Sequence, residues 1–487
     1  MSFSGRIRRL ASETAVYGLA TIVGRFVNWL LVPLHTNLLP PGDYGIIGIL
    51  YSGIALLNGV YHLGLESAFF RFGSNLESQD KRVVFSTAAW TLALVGGLFS
   101  LGLAVWADTV ARWLAIEGQG LVVRYAACIL LLDTMCVVPF AYLRLERKPM
   151  AFALVRLCGV GVNVILNVVM MLGFGFGYEA IPLAGIAASG LTLLLLGSVY
   201  EARLRMTFSP GLLREMQRFG LPLMPSVMAL TAVQVIDRPI LAALTDEKTV
   251  GIYGANQRLG IFMMLVVAMF QYAWQPFYLQ SAKDPDAPAL FSRVLTYLVL
   301  VGSFVVLALS LFVDNLVRLS FFGKHLLGPD YWPGTRVVPP ILVAYLLYGI
   351  YVIFTAGPSI RKKTGRVAGV TIVGLALNLA ANYLLIPRFG MLGAAWAQLL
   401  GFGAMALGLQ LVGRKLYPIP YEWSRLARIG LALGVAMALG LLGPDRIELK
   451  LGALLLLPLL LVLSGFLAPG EKQRLGELAR SALGKAR

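Results

Sequence analysis

About fourteen apolar stretches, each long enough to cross a lipid bilayer, follow one another along this chain with little sequence between them. A hydrocarbon core of about 30 Å takes roughly 20 apolar residues in a helix. Such runs fall near residues 12–38, 44–70, 83–107, 121–143, 149–172, 180–200 and 219–244 (helices 1–7). Seven more fall near 251–279, 289–313, 335–358, 366–387, 391–413, 426–443 and 449–468 (helices 8–14). Hydrophobic residues make up 58% of the chain and charged ones 13%, against about a quarter charged in a soluble domain. That bias runs from end to end, which argues against a string of soluble domains. The Met1–Leu10 segment is too short and too basic to hold the apolar core of a cleaved leader.

Turn residues separate the spans, as in Leu39-Pro40-Pro41-Gly42-Asp43, Gly173-Phe174-Gly175-Phe176-Gly177 and Ile386-Pro387-Arg388-Phe389-Gly390. The net charge of +17 would suit nucleic acid were it spread over a surface. It is instead gathered in alternate loops. Arg6-Arg8-Arg9, Lys81-Arg82, Arg144-Arg147-Lys148, Arg361-Lys362-Lys363 and the Lys472–Arg487 tail all fall on one side of the predicted topology. Basic loops stay cytoplasmic, so both termini are placed inside, and the charge reads as a topology signal with some attraction to anionic lipids. A nucleic-acid partner is not expected. Cys128, Cys136 and Cys158 lie in apolar runs as small buried side chains, and His35, His62 and His325 lack ligand spacing, so no metal site is expected.

The chain repeats itself at an offset of about 206 residues. Pro33 of helix 1 aligns with Pro239 of helix 7, and Gly45 and Gly48 of helix 2 align with Gly251 and Gly254 of helix 8. Helix 5 carries Asn163 and Asn167 one turn apart, as helix 11 carries Asn378 and Asn382. Gly185-Ile186-Ala187-Ala188 of helix 6 echoes Gly393-Ala394-Ala395 of helix 12. Six helices per repeat is an even number, so the repeats share an orientation, and parallel repeats place a substrate at their interface. The expected organisation is an N-lobe over 1–205 (helices 1–6) and a C-lobe over 206–415 (helices 7–12), with helices 13 and 14 and a basic cytoplasmic tail over 416–487. The fold class is an all-α membrane protein of two pseudo-symmetric six-helix lobes around a central cavity.

Leu38-Leu39-Pro40-Pro41-Gly42-Asp43-Tyr44-Gly45, the Gly64…Arg71 end of helix 2, Ile236-Asp237-Arg238 and Val250-Gly251-Ile252-Tyr253 together resemble the polysaccharide-transporter branch of the multidrug/oligosaccharidyl-lipid/polysaccharide (MOP) superfamily. So does Asn378-Leu379-Ala380-Ala381-Asn382-Tyr383-Leu384-Leu385-Ile386-Pro387, followed by Gly390 and Gly393-Ala394-Ala395. The resemblance covers helices 1–12 in order. It implies a bacterial inner-membrane flippase that moves an undecaprenyl-pyrophosphate-linked glycan outward for O-antigen, capsule or exopolysaccharide assembly. It further implies a place beside the glycosyltransferases and polymerase of the same pathway. Lipid II flippases of the superfamily also carry fourteen helices and stay in play, whereas its multidrug exporters usually stop at twelve.

Charges inside the spans mark the candidate site. Arg25 (helix 1), Arg156 (helix 5), Arg238 (helix 7) and Arg258 (helix 8) would each cost about 2.5–3.5 kcal/mol facing lipid at mid-bilayer. They therefore face a wet cavity, pair, or snorkel. Arg25 is nearest mid-span, with Asn28 about a turn away on the same face, while Arg156 is close enough to the cytoplasmic end to snorkel. Guanidinium keeps its charge and grips a pyrophosphate bidentately, and by the resemblance Arg25 and Arg258 match cavity arginines by helix. The acids are Asp237, Asp133 in helix 4, and Glu66, which lies four residues after His62 and so is expected on the same helical face. Salt bridges to the opposite lobe are one reading of them. Ion coupling is the other: the resemblance places a Na⁺ or H⁺ site at Asp237 with Asn378 and Asn382, although paired asparagines can also be interhelical glue. No other cofactor is expected.

Two further classes compete with the flippase. A cation-coupled exporter of drugs or metabolites favours an acidic cavity, and the buried charge here is mainly basic. A polytopic glycan polymerase or ligase needs a sizeable outer loop, and the longest, Asp314–Gly334 with Phe321, Phe322 and Trp332, reads as an interfacial segment. Asp284-Pro285-Asp286 has metal-motif spacing but sits in a short cytoplasmic loop, and no phosphate-binding Gly-Lys-Ser/Thr loop occurs anywhere. The reading is therefore not an enzyme. Reporter fusions check the topology: alkaline phosphatase should be active at Gly177 and inactive at Arg487, and the reverse pattern would invert every inside and outside assignment.

Overall fold

The computed structural model describes residues 3–74, 80–321, 323–444 and 446–466, with the side chains of 3–15 and 321 left out. Phe322, the Lys472–Arg487 tail and the side chains of Arg6, Arg8 and Arg9 thus lie outside the described residues. Among the described residues, twelve helices are long and apolar enough to cross a membrane, and a bent pair makes thirteen. Helices 1–6 are Val16–Leu38, Pro41–Gly73, Lys81–Val105, Gly120–Leu145, Pro149–Gly173 and Ala180–Arg203. Helix 7 is the pair Pro210–Val235 and Asp237–Leu244, and helices 8–13 are Glu247–Ser281, Ala287–Val317, Pro329–Ile360, Thr364–Phe389, Met391–Leu416 and Trp423–Leu442. The expected helix 14 is shorter than the rest, Ile447–Leu463, because Gly465 turns left-handed at φ 69° just past its end.

Large apolar side chains point outward, Leu194 at 77% and Leu407 at 62% exposure among them. A lipid-facing surface accepts them, and helix pairing then rests on close packing rather than on hiding apolar surface. Helices 1–6 pack chiefly among themselves, and so do helices 7–12. Helices 13 and 14 pack on each other and on helix 9, around Leu307, Leu311, Ile429, Ala436 and Leu457.

Proline explains the two matching breaks. Helix 1 is interrupted after Trp29 and helix 7 after Val235, each four residues before a proline, Pro33 and Pro239. The proline ring clashes with the carbonyl four residues back and leaves it without a donor, so the helix breaks there; helix 7 bends by 48°. The repeat also appears in side-chain bonds. Asn167 Nδ2 donates to the Asn163 carbonyl at 2.8 Å, and Asn382 Nδ2 to the Asn378 carbonyl at 2.9 Å.

The halves meet through helices 2 and 8 at the ends that the expected topology places outside, hence the outer ends. A Cβ on Gly45 would come within 1.9 Å of the Glu247 carbonyl oxygen, and one on Gly251 within 1.8 Å of that of Pro41. Only glycine allows backbones this close. The segment Arg318–Val337 covers this crossing and ties onto helix 1. Asn37 Nδ2 donates to the His325 carbonyl at 2.7 Å, the Gly328 N–H donates to Thr36 at 3.2 Å, and the Tyr331 hydroxyl donates to the Leu39 carbonyl at 2.9 Å.

A methyl at the crossing forces the two helix backbones apart. Gly251→Ala should cost about 1–3 kcal/mol by overpacking, seen as a lower melting temperature in detergent. Gly42→Ala, which meets nothing within 4 Å, should melt with the parent. Equal melting of the two variants would mean that the crossing is not tight in the membrane protein.

Candidate functional site

Two chambers adjoin, one between the halves and one among helices 1, 2, 4, 5 and 6 of the N-terminal half. The outer one, about 440 Å³, is lined by Arg25, Asn28, His35, Arg238, Gln257 and Arg258 among others. The inner one, about 630 Å³, is lined by Arg25, His62, Glu66, Asp133, Arg144 and Arg156 among others. Arg25, Asn28, Tyr51 and Asn163 border both, so the two lie on either side of these residues. All four sequence-predicted arginines line one chamber or the other, together with Asn28, Glu66 and Asp133.

Each arginine is set by its local backbone. Arg25 projects from helix 1 just before the proline break, and Arg238 starts the short helical piece after the corresponding break in helix 7. Arg258 opens a 3₁₀ turn, Arg258–Gly260, that interrupts helix 8 and bends the cavity wall there. Its guanidinium lies over the Tyr44 ring of helix 2, 5.2 Å from the centroid. Arg238 donates to Ser52 Oγ at 3.1 Å and to Gln257 Oε1 at 2.6 Å. Arg156 is exposed within the inner chamber and borders it together with Asp133.

The acids take partners within their own half. Glu66 pairs with Arg144 of helix 4, and Asp133 accepts from Ser189 Oγ of helix 6 at 2.6 Å. The alternative of salt bridges reaching the opposite lobe is therefore corrected for both. The shared helical face of His62 and Glu66 is corrected too. Leu63 and Gly64 are both left-handed, at φ 49° and 65°, so His62 ends one helical piece and Glu66 lies in the first turn of the next, Leu65–Gly73. Both nevertheless line the inner chamber. Gly64 abuts Gly220 of helix 7, where a Cβ would meet its carbonyl oxygen at 2.3 Å, so only glycine fits at the break.

Asp237 lies behind the chamber wall at 1% exposure. Its carboxylate accepts from the Tyr253 hydroxyl, from Gln257 Nε2 at 3.2 Å and from the Arg238 N–H at 2.9 Å. It therefore makes no direct ion pair with the Arg238 guanidinium; Gln257 stands between them. Helix 11 packs against both pieces of helix 7. It brings Asn378, whose Nδ2 donates to the Ala397 carbonyl at 2.9 Å, and Asn382, whose buried Oδ1 has no partner among the described residues.

Sequence reasoning passed over Ser52, Arg144, Ser189, Tyr253, Gln257 and Gln398. The available signal was a polar residue inside an apolar run, as with Ser52 and Gln398. Weighing only formal charges hid the neutral groups that hold them. Arg144 was counted as a loop cation, although helix 4 carries it into the inner chamber.

Residues 36–326 match the family described as polysaccharide biosynthesis protein. No curated protein matches the chain. Among solved structures, the lipid II flippase MurJ in an inward closed conformation is similar at 12% identity, over 92% of this chain and 97% of that chain, with a TM-score of 0.74. An inward-facing multidrug resistance MATE family transporter of the MOP superfamily is similar at 16% identity, over 82% and 94%, with a TM-score of 0.67. A mutant of the Vibrio cholerae MATE transporter VcmN is similar at 13% identity, over 84% and 96%, with a TM-score of 0.57.

Proposed function

We propose that this chain, which belongs to the polysaccharide biosynthesis protein family and has the fold of the MOP superfamily transporters, flips an undecaprenyl-pyrophosphate-linked oligosaccharide from the cytoplasmic to the periplasmic leaflet of the bacterial inner membrane. Both termini are cytoplasmic in this reading, and the two lobes alternate access to the shared cavity for O-antigen, capsule or exopolysaccharide assembly. The protein acts beside the glycosyltransferases and polymerase of that pathway and carries out no covalent chemistry itself.

One observation carries the reading: Arg25, Arg156, Arg238 and Arg258 line two adjoining chambers, with Arg25 bordering both. Four permanent cations inside a low-dielectric slab repel one another and cost solvation. A transporter keeps such an arrangement when its cargo supplies the missing negative charge. A pyrophosphate does so, with oxygens spaced for guanidinium forks. A cationic drug would instead be repelled. The amide and hydroxyl lining of the inner chamber, with Asn58, Asn163 and Ser189, suits the hydroxyls of a glycan. A lipid II flippase would share the pyrophosphate site and differ in what fills that inner chamber.

The coupling ion of this reading, Na⁺ or H⁺, sits at Asp237 with Asn378 and Asn382. An unpartnered buried amide oxygen on Asn382 and a carboxylate are the oxygen donors that a hard cation takes. Asp237→Asn should then abolish flipping while the protein stays folded and inserted, measured by complementation beside a detergent melting curve. Full activity would leave Asp237 with a structural role only.

The arginines give the sharper test. Removing one charge-assisted bond costs about 1.5–3 kcal/mol, or roughly ten- to a hundredfold in affinity. Arg25→Ala should lose that much, and Arg25→Lys should recover only part, because ammonium keeps the charge and loses the fork. A surface-glycan complementation assay run beside a drug-resistance assay separates the classes. Normal glycan in both Arg25→Ala and Arg258→Ala, at parental expression, would sink the pyrophosphate site.

A further inference from the structure

Arg238 holds together more than a cavity wall. Its side chain threads between helices 2 and 8, one turn inward from the Gly45–Gly251 crossing. A Cβ on Gly48 would lie 3.9 Å from its Cδ, and one on Gly254 would lie 4.0 Å from its Nε. Gly48 and Gly254 are partners in the sequence repeat, so the guanidinium passes close to the axis that relates the halves.

The bonding at its tip is divided between those halves. Nη1 donates to Ser52 of helix 2 at 3.1 Å, and Nη2 donates to Gln257 of helix 8 at 2.6 Å. The Ser52 hydroxyl proton is already committed to the Gly48 carbonyl at 2.8 Å, so the oxygen faces Arg238 as an acceptor. Gln257 is oriented as well. Arginine only donates, so Oε1 must face it, and Nε2 is left to donate to Asp237. Both acceptors on Arg238 are thus neutral. The buried Nε has no partner among the described residues, and Arg238 lines the outer chamber.

We propose that Arg238 is the pin of the outer gate, and that an anionic headgroup entering the chamber draws the guanidinium off Ser52 and so releases helix 2 from helices 7 and 8. This rests on the anion-site reading above. An oxyanion offers Arg238 two charge-assisted bonds where it now has neutral ones, and such bonds are roughly twice as strong. The exchange is favourable only when an anion is present. An empty cavity therefore keeps its outer side shut, and cargo loading becomes the signal to open. Gln257 is the positioning residue: it keeps Arg238 on the C-terminal half when the bond to Ser52 is lost, so the cation stays with the cavity.

Spin labels report this directly. Glu117, exposed in the turn just before helix 4, and Lys248, in the first turn of helix 8, are changed to labelled cysteines in the whole chain with its three native cysteines replaced. Inorganic pyrophosphate is the probe, with its binding measured in parallel by calorimetry. The parent should show one short distance and gain a longer one on adding pyrophosphate. Ser52→Ala leaves every cavity cation in place, and should show the longer distance without any ligand, raised severalfold over the parent. Arg238→Lys, which keeps the charge but cannot reach both halves at once, should show it too. A ligand-free distribution in Ser52→Ala and Arg238→Lys identical to the parent would overturn the pin. So would a parent that binds pyrophosphate with no change in distance. A parent that fails to bind pyrophosphate would strike the anion-site reading and the trigger with it, while the ligand-free comparison would still decide the pin.

Discussion

Helices 2 and 8 approach at Gly45 and Gly251 until backbone meets backbone, and the cavity takes its shape from that contact. The crossing closes the space at its outer end, so that the chambers lie inward of it. It also fixes where Arg238 and Arg258 enter. Both sit one to two turns below the crossing, Arg238 against Gly48 and Gly254, and Arg258 against Tyr44. Wider spacing there would give Arg238 water instead of Ser52, and Arg258 would lose the ring beneath it. A larger residue at either glycine would therefore change the electrostatics of the chamber as well as the packing.

The second contact between halves is built in the same way but placed inward. Gly64 and Gly220 touch where helix 2 turns left-handed at Leu63 and Gly64, and where helix 7 changes from an amphipathic start to its apolar span. The two glycine contacts lie toward opposite ends of helix 2, and helix 2 is the element that meets helices 7 and 8 alike. A rigid rod pinned at both ends could not rock. The left-handed break at the second of these contacts gives the rod a joint there, beside His62 and Glu66 at the edge of the inner chamber.

How much of this is legible in sequence depends on the kind of interaction. The spans are legible because lipid enforces apolar runs of fixed length, and the four arginines because a cation in such a run must be explained. The proline breaks are legible in kind from Pro33 and Pro239, and the structure adds that each falls four residues upstream. The break at Leu63–Gly64 is not legible, because the backbone that crowds Gly64 there is that of Gly220, far away in sequence. The separation of Asp237 from Arg238 is legible in part, because adjacent residues on a helix point about 100° apart and do not simply neutralise each other. The fold adds what sequence does not show, Gln257 between them and Tyr253 on the far side.

That separation matters for what the cavity offers an anion. An arginine paired with a carboxylate presents little net charge, as with Arg144 and Glu66 in the inner chamber. Arg238 avoids this fate although an aspartate precedes it in the chain, because the Asp237 carboxylate is turned away and filled by neutral donors. The cost is a buried carboxylate without a direct ion pair, resting on the nearby Arg238 charge and on hydrogen bonds of about 0.5–1.5 kcal/mol when neutral and 1.5–3 when charged. The gain is a guanidinium whose present partners, a serine and an amide, are weaker than any phosphate oxygen. A cargo must be held strongly enough to enter and weakly enough to leave, and an arginine that exchanges neutral partners for an anion meets both demands. Its net gain is the difference between two sets of hydrogen bonds, not the whole of one.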